Sequence, residues 1–186
     1  MLGPTLITER LILRPPVQAD LDGWAAALAD EEAQRYLGGA QPREVAWRKM
    51  AEMTGSWALM GYGMFSVILK DTGGWIGRIG PWRPEGWPGS EVGWGLARQA
   101  WGRGYALEAA TASMDWAFDH LGWSDVIHTI DPQNATSIVL AHRLGSTRLR
   151  EAALPPPFAG RMIDVYGQTA EQWKAGRRAR QAAAKR

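Results

Sequence analysis

Apolar and polar positions change period along this chain, and each change marks an element. From Glu91 to Leu96, Val92, Trp94 and Leu96 alternate with Glu91, Gly93 and Gly95, the period of a strand. After the turn Trp101-Gly102-Arg103-Gly104-Tyr105-Ala106 the period lengthens. Ala106, Ala110, Ser113/Met114, Ala117 and Leu121 then recur at spacings of three and four, one face of a helix. Upstream, residues 5–14 are rich in aliphatic and β-branched side chains and stop at Pro15-Pro16, which predicts a first strand. Leu21, Trp24, Ala25 and Leu28 predict a helix with Asp20 as its N-cap, and Gly38-Gly39 breaks the chain. A second helix starts at Pro42, with Ala46, Met50, Met53, Trp57 and Met60 as a stripe read as core. Phe65, Val67 and Leu69 mark a strand, residues 71–74 a turn, and residues 75–82 its hairpin partner.

Downstream, residues 125–130 form a strand closed by Asp131-Pro132. Asn134 opens a short helix with Ile138, Leu140/Ala141 and Leu144 apolar, and Gly145 stops it. Residues 147–151 and 162–168 make a last pair of strands around Pro155-Pro156-Pro157, and a helix-prone segment follows from Thr169. There is no repeat and no second domain. Strands alternating with helices, with several hairpins among them, argue for a mixed α/β sheet.

Composition narrows the class. A chain of 186 residues, 46% hydrophobic and 22% charged, is that of one soluble globular domain. Cysteine is absent, which excludes a disulfide framework, a thiolate metal site and a catalytic thiol, and fits a cytoplasmic location. No apolar run reaches the ~18 residues of a membrane span, and the N-terminus lacks a signal pattern. Of the formal net charge of +2, five positive charges fall on Arg177, Arg178, Arg180, Lys185 and Arg186, leaving −3 on residues 1–176. Residues 1–176 therefore read as the domain and 177–186 as a basic, flexible tail. That tail has no interleaved aromatics, so nucleic-acid binding is disfavoured.

The glycine turn is the strongest chemical signal. N–H groups in the first turn of a helix lack intrahelical partners and sit at the positive end of its dipole, so the turn can hold an anion. Gly102 and Gly104 let the backbone approach a phosphate, and Arg103 adds charge. A P-loop would need Lys and Ser/Thr after the glycine, where Tyr105 stands. A dinucleotide fingerprint would need a third glycine at Leu107. A plain glycine turn without ligand is the remaining bland reading.

The segment EVGWGLARQAWGRGYALEA resembles the acetyl-CoA-binding motif of the GNAT superfamily of N-acetyltransferases, in particular the RimJ/RimL-like ribosomal-protein N-terminal acetyltransferases. TERLILRP, IGRIG, DPQNATSIVLAHRLG and DVYGQT follow in that branch's order. The resemblance implies an α/β GNAT fold: a mixed, mostly antiparallel sheet with flanking helices and two strands splayed around acetyl-CoA. It implies that Trp94, Gly95, Leu96 and Arg98 flank the pantetheine arm. The amides of Gly102, Arg103, Gly104, Tyr105 and Ala106 would hold the pyrophosphate, and Asn134 would touch the arm. Trp101 departs from the Gln or Arg common before that glycine.

Acetyl transfer to an amine needs a proton acceptor, a donor for the thioester oxygen and a proton for the leaving thiolate. The resemblance assigns the base to Glu91 and the thiol's donor to Ser137, because Ala141 stands where many relatives carry tyrosine. Backbone N–H groups of Trp94 to Leu96 would serve the oxygen. Glu151 is a second base candidate, and Tyr166 could also reach the site. A solvated or salt-bridged strand acid is the bland reading of Glu91, and a helix cap that of Ser137. His120 reads as a helix-end cation, His142 as solvent-facing, and His128 as a packed strand histidine with a proton relay as its other role. Their spacing indicates no metal. Tyr36, Trp82 and Trp87 would line an acceptor pocket for a peptide N-terminus or a small amine. A non-catalytic acyl-CoA-binding module and an acyltransferase for longer acyl-CoA remain alternatives, and a homodimer is compatible with either.

Overall fold

The computed structural model describes residues 2–158 and 160–184. In chain order the strands are β1 (Leu6–Ile7), β2 (Leu11–Arg14), β3 (Phe65–Leu69), β4 (Trp75–Trp82), β5 (Glu91–Leu96), β6 (Asp125–Ile130), β7 (Thr147–Ala153) and β8 (Met162–Thr169). The helices are α1 (Leu21–Ala29), α2 (Glu31–Gln34), α3 (Arg43–Met60), α4 (Tyr105–Asp119), α5 (Ala135–Leu144) and α6 (Ala170–Ala184). The strands form one open sheet in the order β1-β2-β3-β4-β5-β6-β8-β7, antiparallel everywhere except between β5 and β6. This is the mixed, mostly antiparallel sheet that the resemblance implies. Among the described residues no helix is long and apolar enough to cross a membrane.

Period-two alternation sorts the strand side chains onto two covered faces. Leu11, Leu13, Phe65, Val67, Ile79, Val92 and Val126 pack with Ala109, Ala110, Met114 and Ala117 of α4 in the larger core. Met64 and Trp82 pack on the other side with Trp24 and Leu28 of α1 and Met50 and Met53 of α3. Alanines on α4 bring its axis close to β4 and β5, which sets the glycine turn at the end of β5.

Several expectations are corrected by tertiary packing. The first strand is split at Thr8-Glu9-Arg10, where Thr8 N–H bonds the Leu11 carbonyl at 3.0 Å and closes a hairpin turn. Met60 leaves the core stripe and is exposed, because α3 ends there on the left-handed Gly61. The short α2 has no apolar period to announce it and rests on Asp30, whose side chain accepts from Ala33 N–H. The boundary drawn at residue 176 falls inside α6. Arg177 bonds Asp115 at 2.9 Å and Asp119 at 2.7 Å on α4, while Lys185 and Arg186 lie outside the described residues.

Asp20 makes no capping bond at the start of α1. Its buried carboxylate instead takes a fork from Arg14 at 2.7 and 2.8 Å, the Val17 N–H at 3.0 Å and the Ser66 hydroxyl at 2.7 Å. Burial alone would push this carboxyl up, but the Arg14 guanidinium and the Val17 and Ser66 donors outweigh it and hold it below the usual range. Its contribution is therefore present above the unfolded carboxyl's pKa and lost as pH falls through the lower folded value. Asp20→Ala strands Arg14 and should cost ~3–5 kcal/mol, read as a lower urea midpoint. A loss under ~1 kcal/mol would reduce the pair to a surface contact.

Candidate active site

The site begins where the parallel pairing of β5 with β6 stops. β5 and β6 pair at Glu91↔Ile127, where Ile127 N–H bonds the Ser90 carbonyl at 2.9 Å. The next ladder bond would join Thr129 N–H to the Val92 carbonyl. Side chains take both groups instead. Glu91 Oε1 accepts from Thr129 N–H at 3.0 Å, and His128 Nδ1 bonds the Val92 carbonyl at 2.7 Å. Satisfied in this way, the strands can part without leaving buried backbone unpaired. β5 continues along β4 to Leu96, and β6 continues along β8 to Ile130. The result is a V with Glu91 at its base.

On the α4 side of the V, a cleft of about 510 Å³ runs from Trp94, Gly95 and Leu96 past Asn134 and Ser137 to Gly102, Gly104, Tyr105 and Ala106. Gly104 is the N-cap of α4 at φ 78°, and Gly102 has φ 72°. These are left-handed conformations that favour glycine. A Cβ at Gly102 would meet nothing within 4 Å, so the turn opens into free space. The first bond of the helix is Glu108 N–H to the Gly104 carbonyl. Amides of residues 102–107 have no acceptor among the described residues. Amides converging on open space at a helix N-terminus fit the phosphates of a coenzyme A.

This turn is held from the far end of the sheet. Arg10 Nη1 donates to the Arg103 carbonyl at 2.9 Å, and its Nε bonds Glu108 at 2.6 Å. Glu108 also accepts from the Thr8 hydroxyl at 2.5 Å and from Arg10 N–H at 2.8 Å. The hairpin turn that split the first strand is thus the anchor of the cradle. Arg35 and Arg143 add positive charge along the cleft wall.

A second pocket of about 190 Å³ lies on the α1/α3 side, between β4, β5, α3 and the loop that precedes β8. Its floor is the glycine side of β5. A Cβ at Gly93 would come within 2.6 Å of Met64 Cε and 3.3 Å of Glu91 Oε1, so glycine keeps this space open. Tyr36, Trp82 and Trp87 are in its lining, with Lys49 and Arg78. The two cavities share Tyr36, Leu37, Trp94, Asn134 and Ser137, so they meet through the V.

Glu91 faces this second pocket and is only 5% exposed. Burial pushes its carboxyl up to about 7. The Thr129 N–H and hydroxyl, the Trp87 indole N–H and the charge of Arg78 oppose that rise without cancelling it. A carboxylate poised near neutral pH and held by three donors is suited to accepting a proton. Ser137 Oγ accepts from Trp94 Nε1 at 3.1 Å, which leaves its own hydrogen free to donate. Asn134 Oδ1 caps α5 by accepting from Ser137 N–H at 3.1 Å.

The family model described as an acetyltransferase (GNAT) domain matches residues 10–147. The chain belongs to the GNAT acetyltransferase family. It is 34% identical over 165 residues to the uncharacterized N-acetyltransferase p20 of Bacillus licheniformis, covering 87% of this chain and 93% of that one. The crystal structure of an acetyltransferase from Agrobacterium tumefaciens superposes with a TM-score of 0.79 at 34% identity, over 89% of this chain and 94% of that one. Mycobacterium smegmatis RimJ, in complex with CoA-disulfide, shares the fold with a TM-score of 0.69 at 21% identity, over 91% of this chain and 87% of that one.

Within this GNAT chain, Glu91, Ser137, Trp94, Gly95, Leu96, Gly102, Gly104, Tyr105, Ala106 and Asn134 line one cavity or both. Arg98 and Arg103 are outside both linings: Arg98 pairs with Asp30 at 2.9 Å, and the Arg103 carbonyl serves Arg10. Glu151 is exposed on β7 and pairs with Arg148, away from either cavity. Tyr166 is packed with Ile130 and Ala141 behind the V. Trp101 is 43% exposed and donates to the Leu96 carbonyl at 3.0 Å, closing the end of β5. His128 is packed: because a carbonyl only accepts, its Nδ1 carries the proton, while Nε2 faces the Ser146 hydroxyl at 3.0 Å. Burial brings its pKa down to about 4, so it stays neutral. Sequence reasoning misses Arg10, Glu108, Arg35, Arg143 and Thr129. The TER of the N-terminal motif is the one hint the chain offers.

Proposed function

We propose that this chain is an acetyl-CoA-dependent N-acetyltransferase that moves the acetyl group directly to a primary amine, with both substrates bound at once. The observation that supports it is Glu91, a buried carboxylate of raised pKa in the lining of the second pocket, which shares Trp94, Asn134 and Ser137 with the α4-side cleft. Acetyl-CoA would supply the activated acetyl thioester from the α4-side cleft. The amides of residues 102–107, with Arg35 and Arg143 nearby, would take its phosphates. The splayed edge of Trp94 to Leu96 would hold the pantetheine as an added strand.

Across the V, Glu91 takes a proton from the amine. The neutral nitrogen then attacks the acetyl carbon and the carbon–sulfur bond breaks; the Ser137 hydroxyl gives its proton to the departing sulfur and is reprotonated by the proton that the acylated nitrogen sheds. Trp94 keeps that hydroxyl in place through its indole N–H. No covalent enzyme intermediate is needed, which suits a chain without cysteine. The shared fold with RimJ speaks for an acceptor of the RimJ/RimL kind, a peptide N-terminus. The small second pocket speaks equally for a small amine.

Initial rates of thiol release, with acetyl-CoA and amine varied together, test the ternary route. Intersecting double-reciprocal lines are expected. Parallel lines would mean an acetyl-enzyme and would remove Glu91 and Ser137 from their roles as base and thiol donor.

A further inference from the structure

The second pocket holds two cations that the acetyl-transfer scheme leaves idle. Arg78 projects from β4 onto the glycine floor, where a Cβ at Gly95 would lie 4.0 Å from its Nε. Its guanidinium donates to Met64 Sδ at 3.0 Å and stacks 5.3 Å from the centroid of the Trp24 ring. It is in no salt bridge among the described residues, although a guanidinium carries five donors suited to an oxyanion. Lys49, on α3, has its ammonium 5.9 Å from the centroid of Phe158 and, among the described residues, likewise has no carboxylate within salt-bridge reach.

The other charges of the pocket do not resolve this pair. Arg161 and Asp131 neutralise each other at 2.7 Å. Glu52 lies on the rim, attracting both cations without touching either. Glu91 is engaged by Thr129 and Trp87. Burial and the nearby guanidinium push the Lys49 ammonium down, and burial does the same to Arg78. Two half-buried like charges beside one cavity are a standing cost that an incoming anion would relieve.

Resting on the acetyltransferase reading above, we infer that the acceptor is a small primary amine that also carries an oxyanion, seated at Arg78 and Lys49 while its amine faces Glu91. The remaining lining, with Met53, Met64, Trp82 and Trp87, takes an apolar or aromatic body between the two polar ends. A site built to bond an oxyanion rejects the analogue lacking it, because its donors are then left unpaired. The proposal thus accounts for selectivity by charge, beyond the amine common to the family's acceptors.

The test uses matched probes on the full chain saturated with coenzyme A: L-phenylalanine, its amide, 2-phenylethylamine and the phosphonate analogue of phenylalanine. Alongside them go 4-aminobutyrate and butylamine, which separate the two ends by a longer spacer. Calorimetry reads binding without turnover, and thiol release with acetyl-CoA reads transfer. An anionic member should bind at least ~10-fold more tightly than its neutral partner, and Arg78→Gln and Lys49→Met should each erase most of that ratio. Preference for the phosphonate over the carboxylate would assign the oxyanion to phosphate chemistry. Equal or tighter binding of the neutral members would overturn the inference. If those neutral amines are also acetylated, the acetyltransferase reading stands without it. Failure of acetyl-CoA itself to bind would instead sink that reading.

Discussion

Glu91→Gln is expected to lower kcat by ~10²–10⁴-fold while acetyl-CoA still binds. Glutamine keeps the length, and its one carbonyl oxygen can still accept from the Thr129 N–H, so the bond that parts the strands should survive, while its NH2 cannot accept from the Trp87 indole and loses that bond. It cannot take a proton from the amine. In the parent protein kcat/KM should rise with pH through about 7, where Glu91 ionises, and the variant should lose that limb. The same residue predicts an opposite trend in stability. Its folded-state pKa is raised from 4.5 to about 7, so its contribution is fully present below ~4.5 and is lost as pH rises through 7. That difference corresponds to ~3 kcal/mol. Stability of Glu91→Gln relative to the parent should therefore improve between pH 5 and pH 8 in urea titrations. A variant with parental kcat and an unchanged pH profile would return Glu91 to a purely structural acid, its bonds to Thr129 serving only to part the strands.

Gly104→Glu is expected to weaken acetyl-CoA binding by at least ~100-fold. Two effects combine. At φ 78° a residue with a Cβ costs ~1–2 kcal/mol. The added carboxylate would lie where phosphates are expected and would compete with Glu108 for Arg10, whose Nη2 is 3.4 Å from the Cβ position. Gly104→Ala carries the strain without the charge and should lose far less affinity. Calorimetry on both, with circular dichroism to verify folding, separates the terms. Parental affinity in Gly104→Glu would move the phosphates away from this turn, whatever the fold implies.

The two experiments address parts of the site that differ in how they can be read from the chain. Gly102, Gly104 and the period change at Tyr105 are local. A helix N-terminus and its free amides follow from a few consecutive residues, so the cradle is legible in the chain itself. What steadies it is not, since Arg10 and Glu108 are nearly a hundred positions apart and meet only because β2 and α4 pack together. Among cations, Arg98 and Arg103 are the natural choice by proximity in sequence. Packing instead gives Arg98 to Asp30 and brings Arg35 and Arg143 to the cleft. Glu151 fails as a base for a related reason: β7 is the sheet edge, far in strand order from β5.

Asp20 shows the same division at smaller scale. Its position before an apolar period is that of an N-cap, yet a guanidinium from β2 and a hydroxyl from β3 compete better for its oxygens than one backbone N–H. No helical pattern carries that information.

By itself, then, the sequence determined the succession of strands and helices, the glycine turn and the family, because each rests on periodicity or on contiguous motifs. Only the tertiary structure decided where β5 and β6 part, that Glu91 is buried enough for its carboxyl to be pushed up to about 7, and that Lys49 and Arg78 line one pocket with it. Those properties depend on desolvation and on which distant side chain reaches a group first, and both are set by packing across the sheet.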